Sequence, residues 1–132
     1  MSAYCLDTSA YSNFRRGNRE VAALLDQAEL VGVPTVVLGE LRTGFLLGDR
    51  QRRNEAELDA LLDNPVVQVL PVDSETSRQY AEIVAELRKA GTPLPTNDIW
   101  IAATAARNGA AVLTFDARFE RITRVGSVVI GA

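Results

Sequence analysis

The chain has 132 residues, 47% of them hydrophobic and 23% charged, an ordinary globular composition that excludes disordered and fibrous proteins and suits a single domain over residues 1–132. Its net charge of −3 neither indicates nor excludes a nucleic-acid partner, because acids that bind cations would bring the two signs close to balance. With no histidine and one cysteine, histidine-dependent catalysis and a zinc site are excluded, so any acid–base or metal chemistry must come from carboxylates.

The N-terminal half alternates short apolar runs with helical patterns. Val21, Leu24, Leu25 and Ala28 recur at the i, i+3, i+4 and i+7 positions that place apolar side chains on one face of a helix. In chain order, the predicted elements are a strand over residues 3–7, a helix over 21–28, a strand over 30–33, and helices over about 36–47 and 51–62.

The C-terminal half continues this alternation. Ser74 is the predicted N-cap of a helix that ends near Gly91, and Thr96 is the predicted cap of the next helix, which Gly109 ends. The predicted strands of this half cover residues 66–72, 111–114 and 127–130. Short, nearly all-apolar strands between helices predict an α/β domain with a mainly parallel, buried sheet. In such sheets, functional sites gather at the carboxyl ends of the strands.

The single cysteine and the distribution of apolar residues indicate a cytoplasmic protein without membrane contact. Cys5 lies in an apolar run and is predicted to be a buried, reduced thiol. No apolar stretch approaches the roughly 18 residues of a membrane span. The N-terminus also lacks the charged-then-apolar layout of a signal peptide.

Four carboxylates are candidate site residues: Asp7, Glu40, Asp98 and Asp116. The three aspartates stand where predicted elements begin or end, and Glu40 lies within a predicted helix. Each has an ordinary structural explanation. The first and last suit helix caps, Asp98 suits the first turn of a helix, and Glu40 suits a solvated helix face. Helical spacing, however, places Glu40 among small and apolar residues, which favours a position facing a cleft.

Together, the four acids suggest a cation site. Two carboxylates 4 Å apart repel by about 4 kcal/mol at an effective dielectric constant of 20, and a divalent cation reverses that repulsion. Mg²⁺ and Mn²⁺ prefer oxygen ligands. If the fold gathers these acids, hydrolysis of phosphodiester bonds is a chemistry that they suit without histidine.

Four segments resemble the acidic motifs of PIN domains, most closely those of the VapC-like toxins of bacterial type II toxin–antitoxin pairs. They cover residues 6–9, 38–44, 95–103 and 113–116, in order over nearly the whole chain. The resemblance implies a PIN-like three-layer α/β/α sandwich with acids at the C-terminal edge of its sheet. It also implies a Mg²⁺- or Mn²⁺-dependent endoribonuclease that acts as a toxin, a small cognate antitoxin and a homodimer.

The resemblance also assigns roles to single residues. It implies that the four acids are the catalytic and metal-binding residues: Asp7, Glu40, Asp98 and Asp116. It implies that hydrogen bonds from four further residues orient these carboxylates: Thr8, Ser9, Asn97 and Thr114. Phe115 departs from the family pattern, since many relatives have a polar residue there. Arg118 is a second departure, because some relatives carry an acid or a histidine at that point.

Three arginines are candidate contacts outside the acids. Arg15 and Arg16 follow the Asp7 segment and would suit RNA phosphates, while Arg42 could meet either RNA or an antitoxin side chain. A solvated helix surface with local ion pairs is the alternative interpretation of such arginines.

Two functions compete with the RNA-cutting toxin. One is a PIN nuclease that acts on DNA or in RNA processing outside any toxin system. The other is a PIN binding module without catalytic activity. The presence of all four acids argues against the binding module, and the small size of the chain favours a toxin over a processing enzyme.

Overall fold

A computed structural model describes residues 2–131 and places five strands in one sheet, with every neighbouring pair parallel. The strands are β1 (Ala3–Leu6), β2 (Leu30–Pro34), β3 (Val67–Leu70), β4 (Ala111–Thr114) and β5 (Ser127–Val129). Their spatial order is β3-β2-β1-β4-β5. From β1 the chain adds β2 and β3 on one side of the sheet, and it then adds β4 and β5 on the other side of β1. The direction of strand addition thus reverses between β1 and β4, and the carboxyl ends of these two strands form the topological switch point.

Helices flank this sheet and complete the predicted α/β/α architecture. They are α1 (Thr8–Arg15), α2 (Arg19–Gln27), α3 (Thr35–Leu47), α4 (Gln51–Leu62), α5 (Ser74–Ala90), α6 (Thr96–Arg107) and a 3₁₀ helix (Ala117–Arg121). No helix within residues 2–131 has the length and apolar character needed to cross a lipid bilayer.

The core lies on both sides of the central strands. Cys5 and Leu6 of β1 and Leu113 of β4 are fully buried, because helices cover both faces of the sheet. The prediction that Cys5 is buried is therefore confirmed. Burial, together with the nearby charge of Asp7, raises the pKa of the Cys5 thiol, so this cysteine stays protonated and unreactive.

Both predicted N-caps of the C-terminal half are wrong by one residue. Asp73, not Ser74, caps α5: its Oδ1 accepts from the backbone N–H of Thr76 at 2.9 Å and from the Thr76 hydroxyl at 2.8 Å. Pro95 precedes α6 without a side-chain cap bond, so Thr96 is already helical. Gly91 ends α5 in the left-handed conformation that glycine adopts easily, as predicted.

Two helix starts and one strand also differ from the sequence pattern. The pattern does not predict α1, because this helix has eight residues and buries only Ala10 and Tyr11. Helix α2 begins before Val21, since the Asn18 side chain accepts from the Val21 N–H and caps an earlier turn. Strand β3 ends before Pro71, which has no N–H to donate to a neighbouring strand.

A substitution at Gly32 tests how tightly β2 packs against β3. A Cβ atom at Gly32 would lie 2.3 Å from Cδ1 and 3.0 Å from Cγ of the buried Leu70 side chain. We expect Gly32→Ala to lower the free energy of unfolding by about 1–3 kcal/mol, because the core must shift to make room. Gly44→Ala is the control: apart from its chain neighbours and the backbone of its own helix, no described atom lies within 4 Å of the added Cβ. Denaturant melts in which both variants unfold alike would contradict the prediction.

Candidate active site

The four predicted acids lie at one edge of the sheet. Asp7 directly follows β1 and Asp116 follows β4, whose residues pair side by side with those of β1. Glu40 lies within α3 and Asp98 in the first turn of α6. Burial is the largest cause that raises the pKa of Asp98, and the charges of Asp116, Asp7 and Glu40 add to that rise, as expected of carboxylates near one another.

Asp7 is the most enclosed of the four, with 5% of its surface exposed. Its Oδ1 accepts from the Ser9 hydroxyl at 2.7 Å and from the backbone N–H of Ala10 at 2.8 Å. Its Oδ2 accepts from the Thr114 hydroxyl at 2.5 Å. Burial raises the pKa of Asp7, and these three hydrogen bonds partly offset that effect by stabilising the ionised form. Asp7 is therefore held in one orientation while it also caps α1.

Ser9 and Thr114 connect Asp7 to the end of β4. The Thr114 oxygen accepts from the backbone N–H of Asp116 at 2.9 Å while its hydroxyl donates to Asp7. In the same way, the Ser9 oxygen accepts from the backbone N–H of Phe115 at 3.0 Å. The two hydroxyls thus fix the backbone around Asp116 relative to the Asp7 carboxylate.

Glu40 faces an open concavity of about 650 Å³ at this edge. The Thr8 hydroxyl donates to Oε1 of Glu40 at 2.7 Å, so Thr8 orients Glu40 and not its neighbour Asp7. Asn97 lines the same concavity. Among the hydrogen bonds of residues 2–131, the Asn97 side chain makes none, so its predicted contact with a carboxylate is not formed here.

Asp98 and Asp116 share a guanidinium neighbour. Nε of Arg118 donates to Oδ1 and Oδ2 of Asp116 at 3.1 and 3.0 Å, and Nη2 donates to Oδ2 at 2.6 Å. The same Nη2 lies 3.7 Å from Oδ2 of Asp98. Its hydrogen bonds lower the pKa of Asp116. Burial raises the pKa of Asp98, and the Arg118 charge only partly opposes that rise.

The donor set suits a hard divalent cation, since all four side chains offer carboxylate oxygens. As they stand, however, no three acidic side chains in the described part of the chain converge closely enough to enclose an ion. Both oxygens of Asp116 also accept hydrogen bonds from Arg118. The residues therefore fit the ion chemically, and their side chains must reorient to enclose it.

The structure does not bring the three candidate arginines to the acids. Arg15 pairs with Glu57 at 2.7 Å and Arg42 with Glu55 at 3.6 Å, both across neighbouring helices. Arg15 and Arg16 line a separate cavity of about 450 Å³ between α1, α3 and α4.

The contacts of Arg118 are the feature that sequence reasoning missed. Its position two residues after Asp116 is a usable signal, because an aspartate that caps a 3₁₀ helix can also accept from the side chain that follows. Its short distance to Asp98 could not be predicted from the sequence, because the two residues lie on different helices that only the fold brings together.

Comparison with known proteins assigns the family. The family model described as PIN domain matches residues 4–125. The chain belongs to the PIN-domain family. One relative of this PIN-domain protein is Ribonuclease VapC5 of Mycobacterium tuberculosis, 33% identical over 98% of this chain and 94% of the relative. A second is Ribonuclease VapC4 of the same organism, 35% identical over 75% of this chain and 76% of the relative. Within the PIN-domain family, the protein is therefore VapC-like.

A solved structure supports the same assignment. A member of the VapBC family of toxin–antitoxin systems from Mycobacterium tuberculosis, VapBC-5, matches with a TM-score of 0.78 and 29% identity. The match covers 98% of this chain and all of the other. The PIN-like fold implied by the sequence motifs is thus confirmed in both sequence and structure.

Proposed function

We propose that this PIN-domain protein is a metal-dependent endoribonuclease that acts as the toxin of a type II toxin–antitoxin pair. The observation that carries the proposal is the meeting of four acids at the C-terminal edge of the sheet, in a chain similar to VapC ribonucleases. We assign the metal and the catalysis to Asp7, Glu40, Asp98 and Asp116. We further propose that residues 1–132 form one domain and that it acts in the cytoplasm.

The proposed chemistry divides between the ion and the chain. The four acids would hold a Mg²⁺ or Mn²⁺ ion, which would supply an activated water and offset the negative charge of the phosphate. Asp7 offers the most rigid carboxylate, because Ser9, Ala10 and Thr114 hold it. Thr8 orients Glu40 from the opposite side of the edge. The all-oxygen donor set suits Mg²⁺ or Mn²⁺.

The proposed macromolecular contacts follow the same assignment. RNA is the proposed substrate, with Arg15, Arg16 and Arg42 as candidate contacts to its phosphates. All three are exposed, and the first two line one cavity. A small cognate antitoxin and a second copy of the chain are the proposed protein partners. Exposed leucines at the end of α3, Leu46 and Leu47, offer apolar surface for protein contact.

Cleavage of total cellular RNA by the purified, antitoxin-free protein tests the proposal directly. We expect discrete products with Mg²⁺ or Mn²⁺ and none after a chelator is added, because the chelator removes the ion that lowers the pKa of water and offsets the charge of the phosphate. A single-stranded DNA substrate is the control. Cleavage of DNA but not RNA would favour the DNA nuclease, and no cleavage by well-folded protein would favour the binding module.

A further inference from the structure

Arg118 is held at the acidic edge by contacts that its position in the chain makes easy to form. Asp116 caps the 3₁₀ helix, and its Oδ1 accepts from the backbone N–H of Arg118 at 2.9 Å. The side chain then folds back, so that both oxygens of the same carboxylate accept from the guanidinium. Backbone and side chain of one residue thus satisfy Asp116 together.

The guanidinium also reaches the second acid of this edge. Nη2 lies 2.6 Å from Oδ2 of Asp116 and 3.7 Å from Oδ2 of Asp98, so one positive group lies between two of the four acids. A divalent cation bridging these acids would need the same oxygens. Two cations cannot share one carboxylate face at such distances without strong repulsion.

The side chain has room to leave. About 47% of the Arg118 side chain is exposed, while those of Asp98 and Asp116 are more enclosed at 24% and 31%. An exposed arginine can exchange an ion pair for water at little free-energy cost, since exposed ion pairs contribute little to stability. Displacement of Arg118 therefore requires rotation of one side chain and no change in the backbone.

We propose that Arg118 is a built-in counter-ion of the site, which competes with the divalent metal for Asp116 and Asp98 and so sets the metal affinity of the protein. The inference rests on the proposed metal-binding role of the four acids. It assigns Arg118 a regulating role that the family motifs do not carry, since an acid or a histidine at this point would assist the metal instead.

Metal affinity, measured apart from RNA cleavage, tests this role. Mn²⁺ is titrated into the purified full chain at fixed pH and salt, and free Mn²⁺ is followed by its electron paramagnetic resonance signal. We expect Arg118→Gln to lower the apparent Kd for Mn²⁺ by roughly threefold to tenfold, as expected when a local ion pair and its charge are removed. Arg118→Lys keeps the charge but loses the two-pronged contact, so an intermediate shift is expected.

Arg121→Gln is the matched control, because it removes the same charge from the same 3₁₀ helix. The described contact of the Arg121 side chain is to the Pro93 carbonyl, and its charge acts on Asp116 less than the contacts of Arg118 do. Its affinity for Mn²⁺ should change by less than about twofold. Equal shifts of the Kd for Mn²⁺ in Arg118→Gln and Arg121→Gln would contradict the proposed competition. Weaker Mn²⁺ binding by Arg118→Gln would contradict it as well. Reduced RNA cleavage with unchanged Mn²⁺ affinity would overturn it too, and would indicate a phosphate contact.

An error in the proposed metal site would give a different experimental result. Asp98→Asn is included to show that the measured Mn²⁺ binds at the four acids. If Asp98→Asn binds Mn²⁺ as tightly as the unmodified chain, or if no variant binds it, the proposed metal site is wrong and the role of Arg118 is wrong with it. If Mn²⁺ binding depends on Asp98 but not on Arg118, the metal-site assignment stands and only the proposed competition is wrong.

Discussion

Asp98→Asn is expected to lower the rate of RNA cleavage by at least about a hundredfold, because outer partners of metal ligands alone account for about 10–100-fold and Asp98 is a proposed ligand. Asparagine keeps the size of the side chain but offers a hard cation a neutral oxygen in place of a charged one. The position of Asp98 at the start of α6, among three other acids, makes that charge central to the site.

The same substitution is not expected to destabilise the fold. Burial and the three neighbouring acids raise the pKa of Asp98 despite Arg118, so the ionised form carries a net penalty in the folded protein. Cleavage and thermal unfolding are therefore measured on the same preparation. Asp59→Asn, at an exposed position of α4, is the control for loss of one acidic charge. Loss of cleavage accompanied by unfolding, or equal loss in both variants, would contradict the assignment.

The sequence was sufficient to predict a mainly parallel sheet between helices and the edge at which the acids lie. Nearly all-apolar strands separated by helices indicate a parallel sheet, and Asp7 and Asp116 follow two strands whose carboxyl ends must then point the same way. The ordinary interpretation of these two aspartates as helix caps is also correct, since each accepts a backbone N–H of the helix that follows. Capping and site formation are thus compatible uses of one carboxylate.

What the sequence could not predict depends on contacts between distant segments. The hydroxyl of Thr114 meets Asp7 across 107 positions of the chain, and Thr8 meets Glu40 across 32. Thr8 donates to Glu40 and the adjacent Ser9 donates to Asp7. This division depends on the direction in which α1 leaves β1. The error at Ser74 has a more local cause, because the neighbouring Asp73 accepts two hydrogen bonds from Thr76 and is the better cap.

Asp7→Asn is expected to abolish cleavage and, at pH 7, to raise the free energy of unfolding by roughly 1 kcal/mol. An asparagine can keep the bonds to Ser9 and Ala10 through its oxygen, and its amide can donate to Thr114. Burial disfavours the ionised carboxylate and so raises the pKa of Asp7, and the substitution removes that buried charge. A carboxyl group with a raised pKa in the folded state destabilises the protein above that pKa, and the penalty fades as pH falls through the folded value toward the ordinary one.

Asp73 supplies the opposite case within the same chain. It is also an N-cap, but it lies exposed, and hydrogen bonds from Thr76 lower its pKa. Its ionised form therefore stabilises the fold above the ordinary pKa, and this contribution is lost as pH falls through the lowered value. Asp73→Asn should thus lower stability at pH 7, with a deficit that shrinks in acid, while Asp7→Asn shows a gain that shrinks in acid. Denaturant melts from pH 3 to 8 compare the two, and the same sign in both variants would refute burial as the cause. Opposite signs would show that Asp7 retains its charge against the stability of the fold, as a residue kept for metal binding should.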